Sequence, residues 1–451
     1  MWTGSRSASG QSATLVDQVR ERALPLRGAD DLDPLLERIG SAHYALLGEA
    51  SHGTHEYYTW RTEISKRLIR ERGFNFIAVE GDWPDCYRLN CYVKGRSDAG
   101  SSAFEVLHAF DRWPTWMWAN REVAHLAEWL RDWNADLPEE RKVGFFGLDV
   151  YSLWDSMASV TQYLERSDPQ LARQARAAYA CFDRFGGDVQ SYARATRWVP
   201  TSCEQDVVSA LTQLRHHAAA LRQLDGVPAR QAYFNAEQNA LVARNAEHYY
   251  RIMVRGGPDS WNLRDEHMLL TLDRLMQFQR ELGGDSRAIV WAHNTHVGDA
   301  RATDMVRSGM FNLGQLVRER HRADDTVLVG FGSHRGSVVA GKAWDAPMER
   351  MPVPEAEADS WEDVLHRAAA TDQLLLLPKN GLPHGWSEVR GHRAIGVVYD
   401  PRYEAFGNYV PTVLPERYDA FLYVDRTHAL QALHLPAHDD HEVPETYPSG
   451  V

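Results

Sequence analysis

The chain has 451 residues, 44% hydrophobic and 25% charged, the mix of a soluble globular protein with enough length for a sizeable core. A formal charge of −13 and a pI near 5.9 argue against nonspecific nucleic-acid binding. The longest apolar runs fall well short of the ~20 residues that a membrane helix needs. The N-terminal stretch MWTGSRSASGQSATL has no apolar signal core. Cys86, Cys91, Cys181 and Cys203 form neither a CxxC pair nor a dense framework, so the expectation is reduced thiols in a cytoplasmic protein.

Residues 1–12 are Ser/Gly-rich and expected to be disordered. Leu15 to Leu24 carries helical spacing, and Asp33 to Ile39 reads as a short helix with Pro34 at its start. The apolar run Tyr44 to Leu47 predicts a buried strand that stops at Gly48. Glu56 to Arg72 is a helix closed by Gly73. Asn75 to Val79 predicts a second strand, and Asp85 to Val93 and Ala119 to Trp133 predict helices. The Trp113 to Trp118 cluster between them is expected to pack in the core. Val143 to Leu148 is a third strand, with Asp149 just past its end. Strands alternating with helices give an α/β fold, a mostly parallel sheet covered by helices.

Strand signal then nearly vanishes from Tyr151 to Leu282, where Val207 to Leu224, Ala229 to Met253 and Asn262 to Leu282 show apolar residues at three- and four-residue spacing. The domain reading is therefore an α/β core over 13–150 and 285–435, interrupted by an all-helical insertion, 151–284, that forms part of a cleft. Strands return at Ala288 to Ala292, Thr326 to Phe331, Val338 to Ala340, Gln373 to Leu377, Ala394 to Tyr399 and Ala420 to Val424. Helices Leu313 to Glu319 and Trp361 to Ala370 lie between them, and the tail 436–451 is expected to be mobile.

Three strand ends carry similar chemistry. Glu49 and His52 follow Tyr44 to Leu47, Glu80 closes Asn75 to Val79, and His293 and His296 follow Ala288 to Ala292. Groups just beyond parallel strands sit at the sheet edge where open α/β sheets bind ligands. A carboxylate beside an imidazole fixes its tautomer for acid–base work. Arg61, early on the next helix, could aim at the same cavity and neutralise an anion. Asp149 is a supporting acid at the third strand end, and Arg264 opens a helix with Asp265 beside it, the latter read as a dipole partner. The HxxH spacing of His293 and His296 lacks the HExxH arrangement of a helical zinc site, and no cysteine lies near. There is no G-x-S-x-G elbow. Gly336 to Ala343 imitates a phosphate loop but ends in Ala where Ser or Thr would be needed. The tail motif His438-Asp439-Asp440-His441 reads as mobile rather than metal-binding.

From about Ala42 to Thr427 the chain resembles the erythromycin esterase family. The resemblance is carried by Gly48-Glu49-Ala50-Ser51-His52, the Glu80 strand end, Asn262-Leu263-Arg264-Asp265-Glu266-His267-Met268 and Ala292-His293-Asn294-Thr295-His296. It implies an α/β core with a large helical part, and metal-independent hydrolysis of macrolide lactones. By matched motif, His52 looks like the family's catalytic base, and Glu49, Glu80, Arg61, His293 and His296 like its other active-site positions. The stretch Ala394 to Pro401 looks more like the broad branch without a settled substrate than the resistance enzymes. The expected activity is hydrolysis of a carboxylic ester or macrolide-type lactone by His-activated water, with no cofactor or metal and a small molecule as partner. Three alternatives stay open: non-hydrolytic acid–base chemistry in natural-product metabolism, a Glu/His metal enzyme, and a binding protein on the same fold.

Overall fold

The computed structural model describes residues 8–185, 192, 195, 203–216, 226–378 and 385–435. In chain order the strands are β1 (Leu24–Pro25), β2 (Tyr44–Leu47), β3 (Phe76–Asp82), β4 (Gly144–Asp149), β5 (Ala288–Trp291), β6 (Thr326–Gly341), β7 (Met348–Val353) and β8 (Gln373–Leu376). A separate antiparallel pair, β9 (Arg390–Arg393) and β10 (Tyr409–Thr412), precedes β11 (Ala420–Thr427). Among the described residues these make one nine-stranded sheet in the order β1-β8-β11-β6-β2-β5-β3-β4, with β7 paired to β6. The strands from β11 to β4 in that order are parallel; β8 and β7 run against them, and β1, antiparallel to β8, runs with them.

Every residue of β2, β4 and β5 is buried. Such unbroken apolar runs are the mark of parallel strands covered on both faces. Alternate side chains go to opposite faces. Ala45, Leu47, Ile77 and Val79 meet the helices α2 (Asp33–Ile39), α3 (His55–Arg72) and α6 (Arg121–Asn134). Two more helices, α4 (Trp83–Val93) and α5 (Ala103–His108), extend that layer. Tyr44, Leu46, Phe76 and Ala78 meet α1 (Ala8–Arg22) and a set of later helices on the other face.

The helical insertion supplies α7 (Leu153–Ser167), α8 (Pro169–Tyr179), α9 (Glu204–His216) and α10 (Val227–Met253), which bury Val160, Leu171, Leu211, Ala236 and Leu241 in a core of their own. The next helix, α11 (Asp259–Glu281), does not join that core alone. Its Met268, Leu272 and Leu275 lie on the sheet, beside α13 (Leu313–Arg320) and α14 (Trp361–Ala368), which follow the short α12 (Asn294–Val297). The stretch 151–284 contains no strand among its described residues, but its last helix is a layer of the α/β core.

The structure departs from the sequence expectations at several points. Residues 8–12 are the first part of α1 rather than a disordered terminus. Thr326 to Phe331 and Val338 to Ala340 belong to one strand; β6 leaves β11 at Gly336, whose φ of +152° and contact with Thr427 admit no side chain, and continues against β7. Ala394 to Tyr399 is not a ladder strand. It crosses the ends of other elements and bonds to each once or twice, Ile395 N–H to Ala50 and Tyr399 N–H to Gly341. The thiol expectation fails for two of the four cysteines: Cys181 and Cys203 are disulfide-bonded across the helical insertion, while Cys86 and Cys91 are free. The thiol argument for a reducing compartment falls with it. Of the tryptophan cluster, Trp116 and Trp118 are buried in the core, and Trp113 and Trp118 also line a cavity. Residues 217–224 of the expected helix, the 436–451 tail and its His438 to His441 motif lie outside the described residues. No helix among the described residues is long and apolar enough to cross a membrane.

Candidate active site

The turn from β2 into α3 is fixed by two close approaches. A side chain at Gly48 would overlap Asn294, and one at Gly53 would overlap the Val339 carbonyl. The Gly53 carbonyl accepts N–H groups from both Val339 and Leu430 at 3.0 Å. Between these glycines, Glu49 Oε1 lies 3.0 Å from His52 Nδ1, and Glu49 Oε2 accepts Arg61 Nη2–H at 2.7 Å. Arg61 is fully buried, with its guanidinium 4.4 Å from the Tyr58 ring and 4.7 Å from the Trp291 ring. Glu49 therefore holds the proton on His52 Nδ1 and leaves Nε2 to act. That nitrogen is 4.0 Å from Glu80 Oε1.

Glu80, at the β3 end, is buried among donors. Its Oε2 accepts the His293 backbone N–H at 2.8 Å and its Oε1 accepts Arg264 Nη2–H at 2.7 Å. Burial would raise this carboxyl, but His296, Arg264 and His52 outweigh it and hold it well below the usual range. Arg264 also clasps Asp149 in a fork, Nε at 2.9 Å and Nη2 at 2.6 Å. The same balance, burial overcome by Arg264, lowers Asp149. Both acids are thus carboxylates around one guanidinium.

His296 sits on α12 with Nδ1 2.9 and 3.0 Å from the two oxygens of Asp265, and its ring stacks on Trp261. Its Nε2 lies 2.9 Å from Arg264 Nη1 and 3.3 Å from Glu80 Oε1. In a neutral ring Nε2 accepts from Arg264; with a second proton it donates to Glu80. Burial opposes that second proton, but Asp265 and Glu80 prevail and lift the ring from 6.5 to about 9. His293 behaves in the opposite way. Burial and the neighbouring His52 hold it well below 6.5, so it is neutral. Its Nδ1 accepts the Thr295 N–H, which places the proton on Nε2; that buried Nε2–H makes no side-chain hydrogen bond, and the Ala50 backbone acts on the ring as an acceptor. The His52 and His293 rings are 4.8 Å apart.

His52, Glu80, Asp149, Arg264, His293 and His296 all line one cavity of about 390 Å³ at the C-terminal edge of the sheet. Its far wall carries Asp82, Asp85, Arg112, Trp113, Trp118 and Tyr151. There burial and the adjacent Asp82 push Asp85 up to about 7. Of the eight residues named from the sequence, six therefore reach the cavity. Glu49 and Arg61 do not line it; they stand behind His52, so Arg61 is placed to set Glu49 rather than to meet an anion.

Sequence reasoning passed over Asp265, treated as a helix-dipole partner, although it is the group that orients His296. The signal was its place beside Arg264 in a motif that matched the family. Asp82, Asp85 and Arg112 carried no local signal, because a bulge at the β3 end and a distant loop bring them together. Nor does the site gather a metal shell as it stands. Among the described residues, the one group of three His, Cys, Asp or Glu donors within reach of a common ion is Cys181, Cys203 and Asp206, whose two sulfurs are bonded to each other.

The model of the erythromycin esterase family matches residues 69–427. Three solved structures share the fold. A protein titled a succinoglycan biosynthesis protein is 22% identical with a TM-score of 0.74, over 95% of this chain and 100% of its own. A protein from Bacillus cereus is 19% identical with a TM-score of 0.75, over 93% of this chain and 99% of its own. A mutant of the erythromycin esterase EreC in its open conformation is 17% identical with a TM-score of 0.66, over 94% of this chain and 98% of its own.

Proposed function

The chain belongs to the erythromycin esterase family, and from that premise we propose that it hydrolyses a carboxylic ester or macrolide-type lactone with water activated by His52. The supporting observation is the pairing of two imidazoles across the cavity. His52 is held at Nδ1 by Glu49 with Nε2 open, and faces His293, whose Nε2–H makes no side-chain hydrogen bond. His52 Nε2 removes a proton from water as the oxygen attacks the carbonyl carbon. The tetrahedral oxyanion takes the His293 Nε2–H, a donor that is neutral and already in place. His296, charged at neutral pH, gives its Nε2 proton to the departing alkoxide, and the C–O bond breaks. Glu80 Oε1 lies between the two rings, 4.0 Å from His52 and 3.3 Å from His296, and stabilises the proton on each; His52 then gives its proton to solvent and His296 regains one from it. Water is consumed, and the products are an alcohol and a carboxylic acid. Arg264 keeps Glu80 and Asp149 ionised, and no step requires a metal or cofactor.

The test is mass spectrometry of macrolides and simple esters incubated with wild type and with His52→Ala. The expected result is addition of one water by wild type alone, with turnover by the variant lower by about 10²–10⁴-fold. Full turnover by His52→Ala removes the proposal. Loss of water from a substrate moves the same site to dehydration, and an unchanged but bound ligand moves it to a binding role.

A further inference from the structure

Nine large apolar side chains are exposed among the described residues, and four of them gather in one part of the chain. Trp344 at 59%, Val398 at 39%, Tyr403 at 63% and Phe406 at 89% exposure all fall in two segments, 342–346 and 396–407. Both segments border the cavity just described. Trp344 lines it together with Gly396, Val397 and Gly407, which are the chain neighbours of Val398 and Phe406. The segments are joined to each other through Gly341 N–H to Val397 and Tyr399 N–H to Gly341, both at 2.9 Å. Trp344 also rests against the cavity residue Trp113, ring centroids 4.6 Å apart. Around Gly396 and Gly407 no atom lies within 4 Å of where a Cβ would sit, so the lip is open and unfilled.

Such an arrangement keeps apolar surface in water at the mouth of a polar cavity. A second copy of the chain is a poor occupant. A few side chains offer a few hundred Å² at most, against roughly 1,200–2,000 Å² for a stable interface. Continuity with the cavity favours the molecule that enters it, and at about 390 Å³ the cavity is near the small end of ligand sites. We infer that the lip formed by Trp344, Val398, Tyr403 and Phe406 is an extension of the substrate site, which seats the apolar body of an ester too large for the cavity. This rests on the hydrolase reading above. It makes Phe406 and Tyr403 specificity-determining residues that touch the non-reacting part of the substrate.

Two measurements separate this inference from the hydrolase reading itself. First, kcat/KM is compared for p-nitrophenyl decanoate and p-nitrophenyl acetate in wild type and in Tyr403→Ser/Phe406→Ser. The ratio of decanoate to acetate is expected to fall about tenfold in the variant, the loss of one well-covered apolar side chain. An unchanged ratio overturns the inference. Second, a brominated ten-carbon alcohol, whose bromine quenches tryptophan fluorescence, is titrated against His52→Ala with and without the two lip substitutions. Weaker binding by the lip variant is expected even if wild type cleaves neither ester, and equal binding overturns the inference. Sedimentation of the same proteins closes the question. A dimer that becomes a monomer on losing Phe406 makes the lip an interface between copies and also overturns it.

Discussion

Arg264 serves two buried carboxylates, Asp149 through a fork and Glu80 together with His296, whose Nε2 lies 3.3 Å from Glu80 Oε1. Removing it in Arg264→Met leaves Asp149 uncompensated and Glu80 dependent on His296, and the expected loss is about 3–5 kcal/mol of folding stability by urea denaturation. Arg264→Lys keeps the charge but not the fork, and should lie between the two. The sign of the pH effect follows from the lowered Glu80 and Asp149 values. Their contribution is present above the ordinary carboxylate range and is lost as pH falls through the depressed values. His296 titrates the other way. Lifted from 6.5 to about 9, its charged form contributes fully below 6.5, and the contribution is lost as pH rises through 9. Asp265→Asn should move the His296 midpoint down in an NMR titration, and the alkaline limb of activity with it. A midpoint that stays in place removes Asp265 as the cause.

At the scale of elements, the turn between β2 and α3 is held by backbone contact rather than by side chains. Gly53→Ala forces the His52 turn away from Val339, and the expected outcome is about 1–3 kcal/mol of lost stability together with lost turnover, read by thermal unfolding and assay in parallel. The apolar run Tyr44 to Leu47 made β2 legible in the sequence, because a central strand buried on both faces needs only apolar residues. The Glu49–His52, Glu80 and His293–His296 positions were legible for the related reason that each follows such a run. Ala394 to Tyr399 misled. It is as apolar as a strand, but its backbone bonds go once or twice each to three different segments, a fact set by tertiary packing and absent from local pattern. β7 and β10 were missed because their exposed or half-exposed residues give no alternation to read. Asp85 and Arg112 could not be assigned to the site at all, since only the folded chain puts them on its wall.

For the molecule as a whole, the helical insertion has its own core and its own covalent tie. Cys181 and Cys203 close a loop with a sequence separation of 22, which in chain-entropy terms is worth roughly 3 kcal/mol. Reduction, or the paired change Cys181→Ser and Cys203→Ser, should loosen α7 to α10 before the sheet, and limited proteolysis should cut first within 153–253. Simultaneous loss of the sheet would show that the two parts unfold as one. Acid should act where α11 meets α10, through His267, whose ring bonds Asn245 and which is buried and held down at about 4. Stability from that neutral ring is full above 6.5 and declines as pH falls from there toward 4.

The order of strands has a consequence for how the protein is made. β2 and β3 follow each other in the chain, yet in the sheet β5 stands between them. The residues that fill that slot, Ala288–Trp291, are translated roughly 200 residues after β3 is complete, about 10–40 s at ordinary synthesis rates. During that interval the nascent chain carries two apolar strand edges with no partner between them. His293 and His296 arrive directly behind the missing strand, so the ribosome delivers the closing strand and the last histidines of the site in the same few residues.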